Sequence, residues 1–189
     1  MPSRSPAPKS SAPKQHTITI NRAPALTLWA TVVANQLGFD WDEALTVGRV
    51  VGGLNAHPRD KAPALFHPRP EILETRRQKL KPGESLQVGL LQRAVAVVRT
   101  PEGLRATTKD TPIAPAGVQR YLESKFGNSL QAAVEAMVDL ARSLPPEELG
   151  ERACELYEQF RPELPEGAPL WGAEGTMDLT HIHALARPR

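Results

Sequence analysis

LTLWATVVANQLGFDWDEALTVGRVVGGL, residues 26–54, is the stretch whose reading decides the fold. Leu26, Trp29, Val33 and Leu37 recur at i, i+3, i+7 and i+11, the spacing of an apolar stripe along a helix. Pro24 suits the first turn of that helix, where a missing N–H goes unnoticed. Gly38 supplies the left-handed residue that stops it. Asp40 then caps a second helix, and Glu43, three residues on, completes a capping-box pattern. Ala44, Val47, Val51 and Leu54 keep helical spacing, while Gly48 and Gly52 leave a groove of small residues. Glycine inside a helix costs about 1 kcal/mol against alanine. A pair four apart therefore predicts that another element passes close by, although Gly52-Gly53 equally fits an early end to the helix. The reading is two short helices joined by a tight turn at Gly38-Phe39.

Outward from this hairpin, the chain of 189 residues has room for a real core. Its 19 prolines and 13 glycines place much of it in turns and connectors. No run approaches the roughly 18 apolar residues of a membrane span. The amino terminus is basic without the apolar centre of a secretory signal. A single cysteine, Cys154, allows neither an intrachain disulfide nor a cysteine-based zinc site and fits a reducing cytoplasm.

Residues 1–15 are Pro, Ser, Ala and Lys in the main and read as a disordered basic tail. Thr17–Ile20 alternate and are β-branched, which predicts a short strand. Residues 16–56 form the first structural unit, this strand plus the helical hairpin. Residues 57–84 are a basic, Pro-rich connector: from His57 to Pro82, seven cations stand against three acids. Pro58, Pro63, Pro68 and Pro70 favour extended chain in its first half, and a short helix over Ile72–Lys81 stops at Pro82-Gly83. Residues 85–189 open with a β-hairpin, Ala94–Val98 and Leu104–Thr108 about a turn at Thr100–Gly103, to which the Thr17–Ile20 strand is able to add. Three apolar stripes follow, on Val118, Leu122 and Phe126, on Leu130, Met137 and Ala141, and on Leu149, Leu156 and Phe160; such helices need one another and make a bundle. A short helix from Asp178 ends the chain, and Trp171 reads as an aromatic plug over a core edge. The fold class is mainly α with a small β-hairpin or sheet, an α+β protein with an amino-terminal helical hairpin and a carboxy-terminal helix bundle.

The joint at residues 30–49 resembles the helix-turn-helix units of DNA-binding proteins. There a small residue precedes a turn glycine by four, as Ala34 precedes Gly38. By that resemblance Asp40, Trp41, Asp42, Thr46 and Arg49 would face base edges. Asp40, Asp42 and Glu43 suit the helix dipole but repel phosphate, which leaves Thr46 and Arg49 as the useful contacts. Net charge of +2 hides an asymmetry: residues 1–125 hold 18 cations and 10 acids, residues 126–189 hold 5 and 11. The basic part fits a polyanion, or equally the acidic part of its own fold or of a dimer. Arg69, Arg76, Arg77, Lys79 and Lys81 form the candidate phosphate stripe.

Segments RTPEGLRATTKDTPIAPAGVQRYLESKFG and WGAEGTMDLTHIHALA, with the hairpin, resemble an uncharacterised family of small bacterial proteins. That resemblance implies a soluble bacterial protein and carries no activity or site residues. No phosphate loop, nucleophile elbow or zinc-protease motif stands in the sequence. His57 and His67, and His181 and His183, lack ligand spacing. The expectation is a small cytoplasmic, non-enzymatic protein without cofactor, catalytic residue or metal, whose basic part contacts DNA. The alternative is a homodimeric protein-interaction module that uses the glycine-grooved hairpin or the acidic bundle.

Overall fold

The computed structural model describes residues 16–53, 67–169 and 172–187. The expectations for the tail 1–15, for the connector as far as residue 66 and for Trp171 lie outside these residues. The elements in order are β1 (Thr17–Asn21), α1 (Arg22–Gln36), α2 (Trp41–Gly52), α3 (Pro70–Lys79), β2 (Ser85–Leu90), β3 (Arg93–Thr100), β4 (Gly103–Thr108) and β5 (Thr111–Pro112). They continue as α4 (Pro115–Phe126), α5 (Leu130–Arg142), α6 (Pro146–Phe160), β6 (Glu174–Asp178) and α7 (Leu179–Leu185). This is a mixed α+β fold with two small antiparallel sheets.

α1 is the centre of the molecule. Every residue from Thr27 to Ala34 is buried, and the helix packs against α2, α4, α5, α6 and β1. A single apolar stripe was the expectation; a helix buried all round is the finding, and its sequence explains it. From Ala23 to Phe39 the chain carries no charge, so no face of α1 prefers water. Its polar groups are satisfied locally. The hydroxyls of Thr27 and Thr31 donate to the carbonyls of Ala23 and Thr27, four residues back, at 2.8 and 2.7 Å. Trp29 Nε1 donates to the Ala153 carbonyl at 2.8 Å, and the Trp29 ring meets Phe160 edge-on at 5.2 Å. Thus α4, α5 and α6 gather around α1, and one buried cluster draws side chains from both sides of residues 56/57 and 84/85.

α2 lies against α1 with almost no space between backbones. A Cβ on Gly48 would stand 2.6 Å from Thr27 O and 2.8 Å from Thr31 N; one on Gly52 would stand 2.8 Å from Thr27 N. The close element that the two glycines predict is α1 itself. This corrects the reading of the groove as a dimer surface, because Thr27 and Thr31 of the same chain fill it.

The four-stranded sheet runs β2-β3-β4-β5 and packs on α2 through β3 and β4. Its hairpin has the expected turn, with Thr100 opposite Gly103. Two further turns carry no such signal: Leu91-Gln92 and Lys109-Asp110 hold both central residues at positive φ, from 47° to 62°. β1 does not join this sheet. It pairs with β6, from Thr17 opposite Asp178 to Asn21 opposite Glu174. The Asp178 carboxylate caps α7 by accepting from Thr180 N at 2.8 Å and His181 N at 3.3 Å.

Candidate nucleic-acid interface

The turn between α1 and α2 is roofed by α3. Gly38 has φ of +112°, and a side chain there would meet the Pro70 Cα at 2.8 Å. Leu73 is fully buried, one helical turn before Arg77. The Arg77 guanidinium donates to Glu43 Oε2 at 2.7 Å, to the Gly38 carbonyl at 3.1 Å and to Glu74 Oε2 at 2.6 Å. Burial works against its charge, but the Glu43 and Glu74 carboxylates outweigh burial and hold its pKa above the usual arginine value.

Glu43 is the hub of this region. Its carboxylate accepts from Asp40 N at 3.0 Å, the capping box expected from sequence. It also accepts from Leu104 N at 3.0 Å, which ties α2 to β4. With 2% of its surface exposed, Glu43 is no free charge at a helix tip. That overturns its reading as a phosphate-repelling group, since Arg77 neutralises it inside the fold.

Thr46 is corrected in the same way. It has no exposed surface; its hydroxyl donates to the Glu43 carbonyl at 2.7 Å and accepts from Ala106 N at 2.9 Å. A side chain built into the α2–β4 contact cannot reach a base edge. Arg49 is half-buried, its guanidinium 4.3 Å from the centre of the Tyr121 ring on α4. Trp41 is half-buried too, and its Nε1 stands 3.4 Å from Gln119 Oε1 on α4. Asp40 and Asp42 are exposed. The side of α2 that would enter a groove is therefore partly covered by α4.

Two of the hairpin cations are also engaged. Arg99 donates to the carbonyls of Arg77, at 2.8 Å, and of Leu80, satisfying the carboxy-terminal end of α3. Arg105 is buried and donates to the Leu104 carbonyl at 2.8 Å. Lys109 is exposed in its turn.

The connector cations divide by position on α3. Arg77 points inward. Arg69, just before the helix, makes an exposed ion pair with Glu147 of α6 at 3.1 Å, of the kind worth at most about 1 kcal/mol. Arg76 and Lys79 lie on the outer face beside Ile72, the exposed large apolar residue of the described chain, and Lys81 follows in the turn; all three are exposed. Sequence reasoning missed the Glu43–Arg77 centre. Only the Asp40–Glu43 spacing pointed to half of it.

Among the described residues no group of three or more His, Cys, Asp or Glu side chains stands together as a metal site, and no helix is long and apolar enough to cross a membrane. Comparison with protein-family models, with curated proteins and with solved structures gives no match to this chain.

Proposed function

We propose that this is a non-catalytic nucleic-acid-associated protein that holds the phosphate backbone through the outer face of α3 and does not read bases through α2. The observation that carries this reading is the exposure of Arg76 and Lys79 on the side of α3 turned away from the core and of Lys81 in the turn after it, continuous in sequence with the basic stretch before the helix. Arg77 and Leu73 anchor the opposite side. If these three cations contact phosphates, the affinity for duplex DNA falls about 40-fold between 50 and 200 mM salt. An electrophoretic shift with a mixed-sequence duplex at both salts tests this. Binding that weakens on that scale, and is abolished by Lys79→Glu with Lys81→Glu, supports the proposal. No shift at micromolar protein in low salt, or binding indifferent to both substitutions, overturns it.

A second reading rests on α6. Glu147, Glu151, Glu155 and Glu158 are exposed along it, a surface for a basic protein partner in place of a polyanion. Phosphate binding and its steep loss with salt would set that reading aside.

A further inference from the structure

Two adjoining hollows, of 700 and 510 Å³, meet at Ser143, Ala186 and Arg187, where the ends of α5 and α7 pass the middle of α6. Together they make one groove unrelated to α3. Its floor is apolar: Leu156 is buried, and Leu144 and Leu185 are half-buried beside it. Its rim is charged, and the charges are not alike in their engagement. Asp139 Oδ2 lies 3.3 Å from His183 Nδ1, a contact that is an ion pair only when the imidazole is protonated. Glu155 pairs with Arg152, which also holds Glu148 at 2.9 Å. Arg142 and Arg187 are exposed and make no ion pair among the described residues.

We propose that this groove binds an amphipathic carboxylate, a fatty-acid anion of about ten carbons; each hollow taken alone lies in the range of about 300–1,000 Å³ usual for small-molecule sites. The leucines receive the chain, and the two unpaired guanidiniums receive the head. Arginine is the residue for the head because its planar donors match a carboxylate in two parallel hydrogen bonds. A cationic head is disfavoured, because both acids on the rim already have partners. An uncharged alcohol of the same length gains the floor and loses the rim.

The test uses the whole chain and the fluorescent probe dansylaminoundecanoate, displaced by decanoate or by decanol. The expected result is saturable binding, with decanoate displacing the probe at roughly tenfold lower concentration than decanol, the worth of one charge-assisted hydrogen bond. Arg142→Glu with Arg187→Glu should weaken probe binding at least about tenfold while leaving the circular dichroism and Tm unchanged, since both side chains are exposed. Leu185→Asp should weaken decanoate and decanol alike. No saturable binding overturns the proposal. So does equal displacement by decanol, or unchanged affinity in the double arginine variant.

Discussion

Arg77 meets Glu43 at 2.7 Å across 34 residues of sequence, joining the outer helix α3 to the first turn of α2. The carboxylate serves three donors from three elements, so losing it leaves more than one group without a partner. Glu43→Ala is expected to destabilise the fold by about 3–5 kcal/mol, the range for breaking one half of a buried pair. Glu43→Gln keeps the shape and part of the hydrogen bonding and should cost less. Urea denaturation of both variants, with Arg77→Met and the double variant, gives the coupling. A loss under about 1 kcal/mol for Glu43→Ala would mean that the hub is dispensable.

Gly48→Ala gains helix propensity worth about 1 kcal/mol, yet it should destabilise. The added methyl meets backbone atoms of α1, at 2.6 Å from Thr27 O and 2.8 Å from Thr31 N, so the two helices must part. The net loss should be about 2 kcal/mol or more, as for overpacked cores. Pairing the change with Thr31→Ala should not rescue it, because the obstruction includes main chain as well as the hydroxyl. Thermal melts of the single and double variants check this; full rescue would place the obstruction on the hydroxyl alone.

The turn at Lys109-Asp110 holds two ordinary residues at φ of 49° and 62°, a conformation that Asn-Gly adopts with less strain. Both residues are exposed. Lys109→Asn with Asp110→Gly should therefore stabilise by on the order of 1 kcal/mol. The same exchange at Leu91-Gln92 should destabilise, because Leu91 is 6% exposed and its burial is worth about 1.5–3 kcal/mol. Opposite shifts in Tm for the two turns are the expected outcome.

Two titrating groups give a dependence on pH. Burial pushes the Cys154 thiol up, helped by the nearby Glu158 carboxylate and opposed by Arg93. At pH 8 less of it is thiolate than in a free cysteine, so it should react with a disulfide reagent more slowly in the folded chain than in urea, still accelerating above pH 9. Burial likewise pushes the Tyr157 phenol above its ordinary value near 10, and its hydroxyl donates to the Arg22 carbonyl at 3.0 Å. An acid whose pKa rises on folding leaves stability intact below its unfolded value and removes it as pH climbs past about 10. Tyr157→Phe should lower stability at pH 7 by about 1 kcal/mol and flatten the loss above pH 10, as read by denaturation at pH 7, 9 and 11.

The parts of the fold legible in sequence were those written in local spacing. The α1–α2 turn at Gly38, the cap at Asp40 and the strands about Thr100–Gly103 all have a cause within four or five residues. What escaped the reading is set by distance along the chain. Nothing near Thr17 points to Asp178 as its partner, and nothing near Glu43 points to Arg77. The central place of α1 was there to be read in its uncharged run from Ala23 to Phe39, which outweighs the stripe of Leu26, Trp29 and Val33. The candidate site suffered most, because a count of cations does not say which of them face inward. Arg77, Arg99 and Arg105 look the same in sequence as Lys79 and Lys81, but they bind carboxylate or carbonyl groups of the fold itself.

The pairing of β1 with β6 has a consequence in time. Thr17 and Asp178 are 161 positions apart (178 − 17), and the ladder continues where Leu179 N donates to the carbonyl of His16 at 2.8 Å. As the chain is made from its amino end, β1 leaves the ribosome first among the described elements and its partner close to last. For nearly the whole of synthesis the first strand has no strand to pair with, and α1 behind it lacks α5 and α6 until those helices are made. Closure of the molecule waits for β6, so a ribosome that stalls before Glu174 holds a chain whose first strand is still open to other molecules.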